Sequence, residues 1–170
     1  SHYSDGRKLM MSKFNKEQDA EKKKGYAQDV LRLYDEQIEC YQNEGYLLGR
    51  KGFDMFYILG NGYSTDSYET LKSSVMKGGN ATEYIVFDPL TQIMAYLFKS
   101  KQIERKEVIE VYDEVEKIIA YNSENNKDYA QYYKDVGAIV TNNFKAIAGE
   151  VFDCEYFKKR LLPKFKENPD

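Results

Sequence analysis

The sequence predicts an all-α fold of stacked antiparallel helix pairs, about eight helices in all. Three observations carry that expectation. Apolar residues recur at offsets of three and four along most of the chain, the period that gathers them on one stripe of a helix. The intervening stretches are short and rich in Gly, Asn and Ser. Odd-numbered helices begin near Asp5, Tyr46, Thr82 and Asp128, roughly 36 to 46 residues apart, an interval at which each helix pair buries its face against the next.

The first helix is expected over Asp5–Phe14, with Leu9, Met10 and Phe14 on its apolar side, and polar residues Asn15 to Lys24 lead out of it. The next stretch, Tyr26 to Leu59, reads as the hairpin around which the chain is organised. Its first helix carries Tyr26, Val30, Leu33, Tyr34, Ile38 and Tyr41 on one stripe. Asn43-Glu44-Gly45 then ends that helix, because Gly enters the left-handed conformation without a Cβ penalty. Its second helix turns Leu48, Gly52, Met55, Phe56 and Leu59 inward, and Gly49 and Gly52 leave so little bulk that a neighbouring backbone comes close. Residues 60–65 form a loop. Thr65 or Asp66 caps a helix with Glu69 in its first turn and Tyr68, Leu71 and Val75 on its buried face, ended by Gly78-Gly79.

Thr82 to Ser100 should be the most buried helix, with Ile85, Val86, Leu90, Ile93, Met94, Leu97 and Phe98 inward. Pro89 interrupts it: either the helix kinks there, or Asp88 caps a fresh start with Pro89 at the first position. Tyr84–Phe87 also has the composition of a short strand, but no second β-type run exists to pair with it. Glu104–Tyr121 shows the cleanest period, through Val108, Val111, Tyr112, Val115, Ile118 and Ile119. Asn122–Lys127 reads as a polar turn and Asp128 as the cap of a helix burying Tyr129, Tyr132, Val136, Ile139 and Val140. A last helix begins near Asp153 with Phe157, Leu161 and Phe165, bent or ended near Pro163. The whole, 1–170, is one helical-repeat domain. It opens without Met and ends Asn168-Pro169-Asp170, so a fragment of a longer chain is expected, with residues 1–4 a tag remnant or disordered.

Composition narrows the function. With 42% apolar and 31% charged residues and only 3 Pro among 170, the chain is that of a folded helical domain. A net charge of −3 and a pI near 5.4 argue against nucleic acid or an anionic membrane surface, which need clustered Lys and Arg. Lys22-Lys23-Lys24 is balanced by Glu17, Asp19 and Glu21. No apolar run approaches the ~20 residues that span a bilayer. Cys40 and Cys154, without C-x-x-C spacing, read as reduced core residues.

Catalytic motifs do not emerge. The single histidine, His2, leaves no histidine zinc triad and no Ser-His-Asp arrangement, and no glycine-rich phosphate loop occurs. Asn122, Glu124, Asn126 and Asp128 alternate oxygens as a calcium loop does, but Lys127 stands where the turning Gly belongs and Tyr133 where the closing Glu belongs. Carboxylate pairs such as Glu114 with Glu116, or Asp35 with Glu39, lie on exposed charged helices. No catalytic residue, cofactor or metal is therefore expected.

A binding surface has more support. Tyr46, Arg50, Phe53, Asp54 and Tyr57 lie opposite the packing stripe of their helix, and Gln92, Tyr96 and Lys99 would continue the strip on the fifth helix. In stacked pairs the first helix of each pair lines the concave wall, and Tyr and Arg dominate interfaces. The competing reading is ordinary packing, with Arg50 paired to Glu44 or Asp54.

YDEQIECYQNEGYLLGRKG (Tyr34 to Gly52), LKSSVMKGGNAT (Leu71 to Thr82), AYLFKSKQIERKEVIEVYDEV (Ala95 to Val115) and DCEYFKKRLLPKFKENPD (Asp153 to Asp170) together resemble the N-terminal region of exported tetratricopeptide-like proteins of Gram-negative anaerobic bacteria. The likeness runs from Gly6 onward. It rests on Tyr34-Asp35, on Gly45 with Leu48-Gly49-Arg50-Lys51, and on Asn168-Pro169-Asp170. It implies a right-handed αα superhelix, a periplasmic or cell-envelope address, and a role in holding partner proteins, with no catalytic residues. The chain departs from the usual signature in having no Trp and a period longer than ~34 residues, so the carboxylate clamp is not part of the likeness. The function expected is a non-catalytic scaffold for a protein or peptide partner. The alternatives are a helical spacer presenting neighbouring domains and, last, an enzyme with a carboxylate site.

Overall fold

A computed structural model describes residues 2–158 of the chain. They form α1 (His2–Lys16), α2 (Ala20–Cys40), α3 (Glu44–Tyr57), α4 (Thr65–Gly78), α5 (Phe87–Lys99), α6 (Arg105–Asn125), α7 (Ala130–Phe144) and the short α8 (Ala148–Val151). Two 3₁₀ turns, Gly79–Ala81 and Tyr84–Val86, join α4 to α5. Residues 154–158 are again helical. The fold is all-α, and no strand occurs among the described residues. The expected features at Leu161, Pro163, Phe165 and Asn168–Asp170 lie outside them.

Several boundaries differ from the sequence reading for identifiable reasons. α1 begins at His2 rather than near Asp5, so residues 2–4, expected to be a tag remnant or disordered, lie within the helix. Leu9 points to solvent, and Met11 joins Met10 and Phe14 on the packed side instead. Lys22–Lys24 belong to α2, because Asp19 accepts a hydrogen bond from the Lys22 N–H and so caps the helix earlier than the apolar stripe begins. Tyr41 lies beyond α2 and is exposed.

Gly45 is not the helix terminator. It sits in the first turn of α3, and among the glycines positive φ occurs instead at Gly60, Gly62 and Gly79. What Gly45 supplies is absence of bulk: a Cβ there would stand 2.8 Å from the Cα and N of Gly78. Gly49 and Gly52 continue that bare stripe, where a Cβ would meet Ser74 Oγ and Val86 Cγ2 at 2.8 Å, and Leu71 Cγ at 2.5 Å. The close backbone approach expected at Gly49 and Gly52 falls instead at Gly45, against Gly78 of α4; at Gly49 and Gly52 the side chains of Ser74, Val86 and Leu71 fill the space. Ser74 seals the contact by donating to the Gly45 carbonyl at 2.7 Å. Leu47, not Leu48, is the fully buried leucine of this helix; Leu48 is half-buried.

Ser64 caps α4, not Thr65 or Asp66, its Oγ accepting from the Ser67 N–H at 3.1 Å. Thr82–Ser100 is not one helix. Residues 84–86 make a 3₁₀ turn rather than a strand, and α5 starts afresh at Phe87, so Pro89 falls in the first turn, where no intrahelical N–H partner is lost. Asp88 is inside α5 and does not cap it.

α6 runs on to Asn125, past the expected turn, because Asn122 is buried and useful there. Its Nδ2 donates to the Asn80 carbonyl at 3.0 Å and to that of Ile118 at 3.1 Å. The Asn126 side chain, not Asp128, accepts from the Asp128 and Tyr129 N–H groups ahead of α7. In α7 the buried stripe is Tyr133, Val136, Val140 and Phe144. Tyr129, Tyr132 and Ile139, expected inside, are exposed by 50%, 51% and 43%. Tyr133 takes the interior place because its hydroxyl reaches the Thr82 carbonyl at 2.8 Å.

The main core joins α4 to α8 around Tyr68, Leu71, Phe87, Leu90, Ile93 and Ile118, each contributing roughly 1.5–3 kcal/mol on burial. A smaller cluster, Phe14, Val30, Tyr34 and Leu59, holds α1 and α2 to the end of α3. α1 packs chiefly on α2 and α3 chiefly on α4, so the Tyr26–Leu59 segment contributes to two pairs rather than forming one tight hairpin. Further along, α5 packs on α7, and α6 on α7.

Candidate functional site

The eight expected strip residues separate into groups. Tyr46 and Arg50 sit together near the start of α3, with the guanidinium 5.5 Å from the Tyr46 ring centroid. Arg50 pairs with neither Glu44 nor Asp54. It grips Glu83 through two contacts, Nε to Oε2 at 2.8 Å and Nη2 to Oε1 at 3.0 Å. Asp54 leaves the strip. It is half-buried and accepts the Tyr34 hydroxyl at 2.7 Å. Burial raises its carboxyl above the ordinary carboxylate range, against the opposing pull of that hydrogen bond and of Arg50 and Arg7. Lys99 lies apart from the others, beside a different depression with Lys101, Glu104 and Arg105.

Phe53, Tyr57, Gln92 and Tyr96 come together, and Asp88 is the hub. Tyr57 donates its hydroxyl to Asp88 Oδ2 at 2.6 Å, Gln92 donates to Oδ1 at 2.9 Å, and Asn143 of α7 donates to Oδ1 at 3.0 Å. Burial alone would raise the Asp88 carboxyl. The hydrogen bonds from Tyr57, Asn143 and Gln92 outweigh it and hold the group below the usual carboxylate range. Tyr63 extends the cluster by donating to Gln92 Oε1 at 3.0 Å and packing 5.2 Å from both the Phe56 and Tyr96 rings. Burial, then the bond to Asp88, pushes the Tyr57 phenol up, so it stays a donor through the physiological range.

Beside this hub lies an open groove of about 300 Å³. α3 contributes Phe53 and Tyr57, the 3₁₀ turn and α5 contribute Tyr84, Ile85 and Asp88, and α7 contributes Tyr132, Asp135, Val136 and Ile139. The Phe53 and Tyr57 rings are 4.8 Å apart, and Tyr84 stacks on Tyr132 at 4.9 Å with 19° between planes. Asp135 accepts from Gln131 Nε2 at 2.8 Å.

Sequence reasoning missed Tyr63, Tyr84, Asp88, Tyr132 and Asn143. A signal for Tyr132 was present: the tyrosine tip favours a half-wet site. Asp88 and Asn143, 55 positions apart, carry no local signal.

Cys40 and Cys154, read as core residues, are both exposed free thiols. Among the described residues no group of three or more His, Cys, Asp or Glu side chains is placed to hold a metal ion, and no helix is long and apolar enough to cross a membrane. Comparison with protein-family profiles, curated proteins and solved structures finds no match to this chain.

Proposed function

We propose that this chain is a non-catalytic protein-interaction scaffold of tetratricopeptide-like type, and that the groove between α3, α5 and α7 receives part of a partner protein. One observation carries the reading. The groove draws its lining from α3, α7 and the turn into α5, and its walls hold exposed aromatic side chains at Tyr57 and Tyr132; in the stacked-pair reading these three helices are first members, which would line a concave side. Aromatic side chains of this kind supply most interface energy, and a surface rimmed by polar groups with an apolar floor marks interaction sites. The hydrogen bonds around Asp88 tie α3, α5 and α7 together, so the wall is preorganised. The periplasmic or cell-envelope address is proposed on the sequence resemblance.

The test immobilises the purified chain and compares proteins captured from source-cell fractions by wild type and by the double variant Phe53→Ala with Tyr132→Ala. Circular dichroism and thermal unfolding establish that the variant stays folded. Specific capture should fall at least tenfold. Capture unchanged by the double variant would refute the groove as the contact surface.

A further inference from the structure

We infer that the guest of this groove is an arginine or lysine side chain presented by an extended segment of a partner protein. The inference rests on the scaffold reading and assigns a chemistry to what the groove takes. Its only formally charged lining residues among those described are Asp88 and Asp135. No basic side chain lines it, and Arg50, the nearby cation of the expected strip, is already held by Glu83. A guest bearing a carboxylate would therefore meet two like charges and no free cation.

The charge at Asp88 does not wait for a guest. Three donors from three helices fix the carboxylate in place, leaving a negative group at the edge of an aromatic wall. A long basic side chain suits both features. Its methylene stem lies on apolar surface while its charged head stays at the polar edge, and a guanidinium stacks on tyrosine faces. The Tyr84–Tyr132 stack offers such a face. At about 300 Å³ the groove matches the small end of ligand sites, so one or two side chains of an extended segment fill it, and a folded unit does not.

The experiment pans a phage library of random dodecapeptides on the purified full chain and on its Tyr132→Ala and Asp135→Lys variants. The strongest selected sequence is then made as a fluorescein-labelled peptide for anisotropy titration. Expected are sequences carrying Arg or Lys beside an aliphatic or aromatic residue, whose affinity falls at least about tenfold in either variant, Asp135→Lys reversing a charge of the lining and Tyr132→Ala removing the stacking face. Neutral or acidic sequences that still depend on Tyr132 would overturn the basic guest and leave the scaffold standing. Basic sequences indifferent to both variants would mean diffuse attraction to a net-acidic surface and also overturn it. Absence of any Tyr132-dependent sequence would remove the groove reading along with it.

Discussion

Replacing Gly45 by alanine tests whether the bare stripe of α3 is what seats it on α4. The added Cβ would lie 2.8 Å from Gly78 Cα and N and 3.2 Å from the Lys77 carbonyl carbon. All three are backbone atoms, so no rotamer change relieves the contact and the helices must separate by several tenths of an ångström. Overpacking of this kind costs ~1–3 kcal/mol. Parting the helices also stretches the Ser74 to Gly45 hydrogen bond of 2.7 Å, worth ~1 kcal/mol. Against this stands the better helix propensity of alanine, at most ~1 kcal/mol and less near a helix end. The expected net loss is about 2 kcal/mol, a fall in Tm of roughly 4–8 °C for a chain of this size. Gly25→Ala is the matched control. It lies inside α2 with nothing within 4 Å of its added Cβ, so propensity acts alone and should stabilise by ~0.5–1 kcal/mol. Urea unfolding followed by circular dichroism measures both. Gly45→Ala matching or exceeding the wild type would refute the argument.

Asp88 and Asp54 should respond to pH in opposite senses. Asp88 is depressed in the fold, so its stabilisation is complete above the ordinary carboxylate value of ~3.9 and is lost as pH falls through its lower folded value; the loss in Asp88→Asn should shrink below about pH 4. Asp54 is raised, so its contribution is complete below that ordinary value and is lost as pH rises through the folded one; Asp54→Asn should gain stability at pH 7.5 and lose the advantage at pH 3.5. Paired urea midpoints at the two pH values check both signs. Tyr133→Phe removes the donor to the Thr82 carbonyl while keeping the ring, and should cost ~1–3 kcal/mol by differential scanning calorimetry. Both cysteines are exposed, so a disulfide-exchange reagent should titrate two thiols of the native chain at pH 8 within minutes; a single fast thiol would contradict the structure.

Helix type was legible wherever one face alone was apolar. α6 reads correctly as a helix because Val108, Val111, Val115, Ile118 and Ile119 keep one period while Lys and Glu dominate the opposite side. α7 does not, since its tyrosines give two overlapping stripes, and the choice falls to a hydroxyl acceptor 51 positions earlier in sequence. Local grammar misled at Gly45, where an Asn-Glu-Gly turn signature stands over a residue chosen for what passes beside it. On α3, Tyr46, Arg50 and Tyr57 are exposed and Phe53 is half-buried, but Arg50 is held by Glu83 and lies apart from the groove lining. Asp54 turned away because a partner hydroxyl, Tyr34, waited on α2. The groove itself depends on which of α5 and α7 face α3, and periodicity within one helix carries nothing about that.

The link between α4 and α5 owes its shape to residues that follow it. Its Asn80 carbonyl is claimed by Asn122 and its Thr82 carbonyl by Tyr133, 42 and 51 positions downstream. A nascent chain emerging N-terminus first therefore exposes this link before its clasps have been synthesised. Tyr84 likewise stacks on Tyr132 of α7, so its place in the groove also depends on a helix that emerges later.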